Sequence, residues 1–347
     1  MKIMLTCANC KKTVFKERTN GTCCYCGKNM EKRAEKPSFF AKLFGAKTAE
    51  ATVAVADPEN EFKIKGSLLI RYIGKGGDVA IPDTVTEIEA GAFENTNAEN
   101  IFVPDSVEII NDYAFKNCTS LHSIELGEGL ETIGFGALEG CEKLRSITLP
   151  FVGEDRSEQA TKRFCYLFGV EEGYTPEEEI PEGLEVTLTS AQELAEEAFA
   201  YTPIRKIFLP ATLEKIGKEA FTCSDLTEFC VDEANENYRA IDGHLYTKDG
   251  KTLIQYALRN SAKEFSVPDG VETIEADAFS CTEYLEKVFI PESVTSIGKD
   301  AFQLLLQEYN HRKLSIYCAA KSKPSGWHDA WNSSKLPVEW EREEEDM

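Results

Sequence analysis

Four of the twelve cysteines are spaced to bind a single metal ion. Cys7 and Cys10 form one C-x2-C pair, Cys23 and Cys26 form a second, and twelve residues separate the two pairs. Each two-residue gap lets a tight turn present both thiolates to one ion, and four thiolates satisfy tetrahedral Zn²⁺. The spacing therefore predicts a structural zinc site, because four protein ligands leave no open position for a substrate or water.

The alternatives for these pairs are disulfides or a redox dithiol. A thioredoxin-like dithiol needs one C-x-x-C pair in a βαβ context, and neither pair has that context. Cys24 is a fifth cysteine that could replace Cys23 as a ligand. The spacing resembles the zinc-ribbon family over residues 1–30, which implies a small zinc-stapled head.

No combination of residues in the sequence predicts catalysis. The four histidines belong to no Ser-His-Asp, Cys-His or H-E-x-x-H arrangement. The glycine-rich stretch at residues 74–77 lacks the Lys-Ser/Thr that ends a phosphate-binding loop. We therefore expect no catalytic residues and no enzyme.

The charge is distributed unevenly along the 347 residues. Residues 1–47 hold eleven Lys or Arg and three Glu, a formal charge of +8, whereas the other 300 residues hold 27 basic and 57 acidic side chains. Nucleic acid could bind residues 1–36, but only Phe15 and Tyr25 offer stacking surfaces there, so this function ranks below protein binding. The N-terminus shows no apolar signal region and no apolar run is long enough to span a membrane, so the expected location is cytoplasmic.

Residues 31–62 read as a linker between the head and the body. Within it, residues 39–44 place apolar side chains on a shared helical face, which suits either a short helix at a membrane or partner surface, or a turn in a tether. The shortness of the patch favours the tether. At the other end, residues 339–347 form an acidic tail.

The body contains an internal repeat of about 22 residues. Each unit has a short alternating strand, a Pro or Gly, a Val-x-x-Ile strand, and an Ala-Phe or Ala-Leu pair whose second residue lies eleven positions after the Pro or Gly. The six regular copies run from Ile81-Pro82 to Ala92-Phe93, Val103-Pro104 to Ala114-Phe115, Leu126-Gly127 to Ala137-Leu138, Leu209-Pro210 to Ala220-Phe221, Val267-Pro268 to Ala278-Phe279, and Ile290-Pro291 to Ala301-Phe302. A compressed seventh copy ends at Ala198-Phe199.

This repeat resembles the BspA-type leucine-rich-repeat family. The resemblance implies a mainly β solenoid of short strands and turns over residues 63–338, with insertions near 151–182 and 232–262 and a terminal cap near residues 317–327. It also implies adhesion or protein binding, often at the bacterial surface, and the cell-surface role is the second alternative to a cytoplasmic scaffold. No single unit can bury its own apolar face, so neighbours must stack.

Two expectations concern particular columns of the solenoid. Four cysteines follow the Ala-Phe position, at 118, 141, 223 and 281, and we expect them to stack as free, buried thiols without disulfides or metal. The outward strand position carries Phe102, Phe208 and Phe289, which we interpret as candidate contacts for a protein or peptide partner unless insertions cover them. The sequence thus favours a non-catalytic interaction scaffold.

Overall fold

A computed structural model describes residues 61–158, 162–171, 179–304 and 314–344, together with the backbone of two N-terminal strands. Those strands, β1 (Met4–Thr6) and β2 (Thr13–Phe15), pair antiparallel. The zinc-ligand cysteines and the apolar patch of the linker lie outside the described residues.

The rest of the described chain is a succession of short strands and turns, with no α-helix among the described residues. The first coils contain β3 (Phe62–Lys65), β4 (Leu68–Tyr72), β5 (Gly77–Ala80), β6 (Glu87–Ile88), β7 (Ala98–Phe102), β8 (Ile109–Ile110), β9 (Ser123–Glu125), β10 (Thr132–Ile133) and β11 (Ser146–Leu149). After 3-10 turns at Arg156–Glu158 and Phe164–Phe168 come β12 (Leu184–Leu188), β13 (Glu193–Leu194), β14 (Ile204–Leu209), β15 (Lys215–Ile216) and β16 (Glu228–Val231). The last part holds β17 (Tyr238–Ile241), β18 (His244–Thr247), β19 (Thr252–Gln255), β20 (Glu264–Ser266), β21 (Thr273–Ile274), β22 (Lys287–Ile290), β23 (Ser296–Ile297), β24 (Ser315–Cys318), β25 (Gly326–Trp327) and β26 (Val338–Trp340).

The strands stack into parallel ladders, as the repeat predicts. A seven-stranded sheet runs in the order β16-β14-β12-β11-β9-β7-β5, and a four-stranded sheet of the same type runs β20-β22-β24-β26. The two-residue strands of the first part form separate ladders. β10, β8 and β6 continue into the longer strands β4 and β3, and β13 pairs with β15. Proline or glycine ends the long strand, and its carbonyl accepts a turn hydrogen bond, as in Val85 N–H to Pro82 O at 3.0 Å.

A third ladder joins the Ala-Phe turns of successive coils. The Phe93 amide donates to Ala114 O at 2.7 Å, and the Phe279 amide donates to Ala301 O at 2.8 Å. The alanines permit this approach, and the phenylalanine rings stack inward, with Phe279 and Phe302 centroids 4.7 Å apart. Each fully buried side chain of this size contributes about 1.5–3 kcal/mol of hydrophobic stabilisation.

The insertion after β11 continues the ladder of Ala-Phe turns at a place where a regular repeat is missing. The Leu138 amide donates to Leu167 O at 2.8 Å, and the Phe164 amide donates to Ala198 O at 2.8 Å. Phe164 also packs on Phe199, with centroids 5.0 Å apart. The 3-10 turn at Phe164–Phe168 therefore occupies the place of an Ala-Phe turn in the solenoid.

A hairpin module occurs twice, once in the predicted insertion near 232–262 and once before the first coil. The antiparallel pair β3–β4 precedes the first coil just as β17, β18 and β19 precede β21, and β4 and β19 each continue into a parallel ladder. Tyr72 and Tyr256 mark the equivalence, because their amides donate to the alanine carbonyls of the next coil at 2.8 and 3.0 Å. Their rings stack on Phe93 and Phe279, with centroids 5.1 and 5.2 Å apart. The described solenoid therefore consists of two blocks, each of which begins with a hairpin.

The C-terminal segment adds a coil to the second block. β24 pairs with β22 and β25 pairs with β23, both parallel. Trp331 takes the place of the repeat phenylalanine, with its ring edge on Phe302 at 5.7 Å. The segment near residues 317–327 is thus part of a further coil that ends in tryptophan side chains.

The expectation for the four solenoid cysteines is half correct. Cys118 and Cys141 are buried free thiols that donate to Phe93 O at 3.1 Å and to Phe115 O at 3.3 Å. Cys223 and Cys281, however, form a disulfide with Cα atoms 5.2 Å apart. Those two follow the repeat phenylalanine by two residues and adopt φ of 52° and 64°. They face each other because the hairpin module brings together coils that are 58 residues apart in sequence.

Candidate interaction surface

The outward column predicted from the sequence lies in register on the seven-stranded sheet. Phe102 pairs with Glu125, the column continues through Thr148 and Thr187, and Thr187 pairs with Phe208. Four strand spacings separate the two phenylalanines, roughly 19 Å at 4.8 Å per strand. Both rings are partly exposed. The column thus presents one apolar side chain on each side of a polar stretch.

The column does not continue into the second block as the sequence suggested. Phe208 pairs with Cys230 on the last strand of the seven-stranded sheet, and Ser266 begins the separate four-stranded sheet. Cys230 and Phe289 are only 3% and 7% exposed. Phe289 is therefore a packed side chain and not a surface aromatic, which corrects its assignment to the contact column. Tyr317, which pairs with Phe289, is partly exposed on that sheet, as are Phe265 and Trp340.

A second outward column, which the sequence reading missed, lies two residues before the first on each strand. Asn100 donates to Asp78 Oδ1 at 2.5 Å, and Ser123 donates to Asn100 Oδ1 at 2.6 Å. Near the other end, Glu185 of this column pairs with Arg205, which lies three residues before Phe208 on β14. Period-2 alternation could have found this column, because it places residues i and i+2 on the same face.

Ion pairs fix the orientation of the charged side chains on both sheets. Lys206 pairs with Glu228 on the seven-stranded sheet, and Lys287 Nζ lies 2.8 Å from Glu264 Oε1 on the four-stranded sheet. The hydrogen bond to Glu264 raises the pKa of Lys287, so the lysine stays charged at neutral pH. Exposed pairs of this kind contribute little stability but hold their groups in defined positions for recognition.

A cleft of about 650 Å³ beside the insertion is the other concave feature of interest. Arg163 pairs with Glu197 at its wall, and Lys162 Nζ lies 5.7 Å from the ring centroid of Tyr166. Burial, reinforced by Glu154 and Asp112, raises the pKa of Tyr166 to about 12. The protonated Tyr166 and the Arg163–Glu197 pair do not by themselves form an acid–base or nucleophilic arrangement.

The predicted zinc ligands Cys7, Cys10, Cys23 and Cys26 lie outside the described residues, so that site stays a prediction. Within the described segments, no group of three or more His, Cys, Asp or Glu side chains could hold a metal ion. The same segments include no helix that is long and apolar enough to cross a bilayer.

Comparison with known proteins gives a family match and distant structural similarities. The sequence matches the profile of the BspA type leucine rich repeat region in six copies, over residues 75–160, 184–247 and 245–310, which is more than half of the chain. Among curated protein sequences, none matches this chain significantly.

Similar solved structures include a leucine rich cell surface protein from Faecalibacterium prausnitzii, at 22% identity and a TM-score of 0.41, over 85% of this chain and 97% of that chain. The pneumococcal vaccine antigen PcpA is similar at 21% identity and a TM-score of 0.38, over 71% of this chain and 67% of that chain. A leucine-rich repeat protein from Eubacterium ventriosum is similar at 19% identity and a TM-score of 0.40, over 74% and 70%.

Proposed function

The chain belongs to the BspA type leucine rich repeat family, and on that premise we propose that it is a non-catalytic scaffold whose seven-stranded sheet binds a protein partner. The observation that carries the proposal is the in-register column in which Phe102 and Phe208 flank a polar stretch. Partly exposed aromatic side chains are enriched among the residues that dominate binding energy at protein interfaces.

The charge of the body indicates the chemistry of the partner. Residues 48–347 carry a formal charge of −30, which steers basic surfaces toward the sheet and repels acidic ones. The second column supplies fixed acceptors, among them Asp78 and Glu185, beside the aromatic rings. The expected partner is a basic protein segment with apolar side chains spaced to reach both phenylalanines.

Affinity capture from native cell extract tests this surface. The wild-type chain and the double variant Phe102→Ser/Phe208→Ser are immobilised in parallel, and the bound proteins are quantified by mass spectrometry. We expect the specific partner to lose at least about 2 kcal/mol of binding free energy in the variant, roughly a thirtyfold loss of affinity.

The matched control is Tyr284→Ser, which removes an exposed aromatic side chain away from the candidate surface. Tyr284 is 40% exposed and lies under Lys263, with Nζ 5.8 Å from the ring centroid. This variant should capture the partner as the wild type does. If the Phe102/Phe208 variant folds and captures an unchanged set of proteins, the sheet is not the binding surface.

We also propose that the N-terminal head is a structural zinc ribbon that acts as an anchor or a second contact. Thr6 pairs with Thr13, so Cys7 and Cys10 fall in the segment that connects two antiparallel strands, and this supports a cysteine knuckle. The bound ion would fix the fold of a segment too small to form its own core.

Metal analysis of the full chain tests the ligand set. We expect one equivalent of zinc in the wild type and in Cys24→Ser, and less than about a tenth of an equivalent in Cys23→Ser after dialysis, because three thiolates hold the ion far more weakly than four. Full zinc in both variants would contradict the assignment of Cys23.

The cytoplasmic location and the cell-surface alternative stay as competing proposals. The excess of basic residues in the head keeps nucleic-acid binding as a further alternative for residues 1–36. That binding would weaken steeply with increasing salt.

A further inference from the structure

The junction between the two blocks is the place where the ladder of long strands in the described solenoid is interrupted. The seven-stranded sheet ends at β16 and the four-stranded sheet starts at β20, and the two do not pair. The hydrophobic core divides at the same place into two clusters, which meet within the second hairpin module. Contacts across this junction therefore decide whether the blocks behave as one body.

The ladder of Ala-Phe turns also stops at the junction. The Tyr201 amide still donates to Thr222 O at 2.9 Å, but among the described residues no backbone hydrogen bond links 219–223 to 277–281. Instead, the hairpin module intervenes, and Tyr256 rather than a residue of the preceding coil donates to Ala278 O. Elsewhere in the described solenoid, backbone hydrogen bonds join neighbouring Ala-Phe turns. Between residues 219–223 and 277–281, side-chain contacts take their place.

The Cys223–Cys281 disulfide spans this gap. Its Cα atoms are 5.2 Å apart, close to the spacing of neighbouring strands, so the two cysteines occupy the same position of consecutive coils. That position has a left-handed backbone and holds Asn95, Asn117, Gly140 and Tyr201 in other coils. Asparagine and glycine adopt this conformation more readily than cysteine. What cysteine adds at this position is a covalent bond between the blocks.

The interior near the junction is unusually polar. All the buried polar side chains of the described residues lie between Thr202 and Thr282 in sequence. The hydroxyls of Thr222, Tyr246 and Tyr256 are buried there without a hydrogen-bond partner among the described residues. Unsatisfied buried groups weaken packing, and segments with weak packing open first in a native protein. The junction is therefore the part of the solenoid that most needs a cross-link.

One set of ion pairs provides a second, weaker link. Arg259 Nε lies 2.7 Å from Asp225 Oδ1 in the first block, and Arg259 Nη1 lies 3.0 Å from Glu283 Oε2 in the second. The Arg259 amide also donates to Leu226 O at 2.9 Å. These contacts would keep the blocks in register without the disulfide, but they are partly exposed and exchange readily with water.

We propose that Cys223 and Cys281 form a redox-responsive clamp that locks the two blocks together when oxidised and frees the junction to open when reduced. Cys223 is partly exposed, whereas Cys281 is 4% exposed, so an external thiolate can reach the sulfur of Cys223. That attack breaks the protein disulfide, forms a mixed disulfide at Cys223 and releases Cys281 as a thiolate, which takes up a proton.

A second thiol of the reductant then completes the exchange. It attacks the mixed disulfide, releases Cys223 as a thiol and leaves the reductant as a disulfide, so two electrons pass from a dithiol to the protein. The reverse reaction uses a small-molecule disulfide as the oxidant. Disulfides of reducing compartments are commonly of this reversible type, and in an oxidising compartment the clamp would stay closed.

Hydrogen exchange of the full chain tests the clamp. One sample is incubated with oxidised glutathione and the other with dithiothreitol, and alkylation with mass spectrometry records the state of Cys223 and Cys281. We expect peptides that contain Tyr256 and Phe279 to exchange roughly tenfold faster in the reduced sample. Peptides from residues 85–126, in the middle of the first block, should be unchanged.

Two variants separate the clamp from other thiols of the chain. Cys223→Ser/Cys281→Ser should exchange at the fast rate in both buffers, although it keeps every cysteine of the head. Cys118→Ala removes a buried thiol from the first block and should respond to the buffers as the wild type does. Alkylation of both cysteines after oxidation, resistance of the bond to dithiothreitol in the native protein, or equal exchange in the two redox states would each overturn the proposal.

Discussion

Replacing Phe279 by alanine is expected to lower the free energy of unfolding of the second block by about 3–5 kcal/mol. The ring is fully buried and packs between Tyr256 and Phe302, with centroids 5.2 and 4.7 Å away, so its removal leaves a cavity that the stacked neighbours cannot fill. Urea titration followed by tryptophan fluorescence measures the loss, because the tryptophans of the described chain lie in the same block.

The effect should be confined to the second block, because each coil of a solenoid contacts only its neighbours. Hydrogen exchange around Phe93 in the first block is expected to stay at its wild-type rate. Tyr284→Ala serves as the control, since this exposed ring should cost less than about 1 kcal/mol. If the two variants lost similar amounts of unfolding free energy, the stacked rings of Tyr256, Phe279 and Phe302 would not provide the stability assigned to them.

Replacing Asn235 by leucine is expected to cost about 3 kcal/mol or more, although the two side chains have the same number of heavy atoms and the same branching. Asn235 is completely buried. Its amide nitrogen donates to Pro210 O at 2.8 Å and Leu213 O at 3.0 Å, and its Oδ1 accepts from the amides of Asn237 and Tyr238 at 2.8 and 2.7 Å. Leucine would leave four backbone groups without these bonds at the start of the second hairpin.

Thermal or urea unfolding of matched variants measures this cost. Asn237→Ala is the comparison, because that side chain is exposed and makes one longer bond to Leu213 O at 3.3 Å; its loss should cost less than about 1 kcal/mol. Asn235→Asp retains the acceptor but places a buried carboxylate against the carbonyl oxygens of Pro210 and Leu213, so it should be at least as destabilising as Asn235→Leu at neutral pH. A leucine variant as stable as the wild type would rule out this role for Asn235.

The regular coils could be predicted because their signals are local and recur. A proline such as Pro82, eleven residues before Phe93, fixes where a strand ends and where the next turn packs, and the same register returns in later coils. The family and the solenoid followed from that register. The in-register column through Phe102 and Phe208 followed as well, because it depends only on strand alternation.

The features that the sequence did not reveal depend on how distant segments meet. The Cys223–Cys281 bond forms only because two cysteines 58 residues apart in sequence lie on neighbouring coils. No local sequence pattern indicates that arrangement. The first hairpin escaped notice because Phe62–Tyr72 lacks the proline and the Ala-Phe pair of a repeat. Phe289 occupies an outward strand position yet is buried, since exposure is set by what packs over a strand and not by its alternation.

The two hairpins give the chain a cassette organisation. Each one supplies the antiparallel pair and the tyrosine that begin a stack of coils, as Tyr72 does for Phe93 and Tyr256 does for Phe279. A stack of coils that begins with its own hairpin does not need the preceding stack to pack against its first coil. Such a protein can be lengthened or shortened by whole cassettes, and the area that it offers to partners then changes in steps of one cassette at a time.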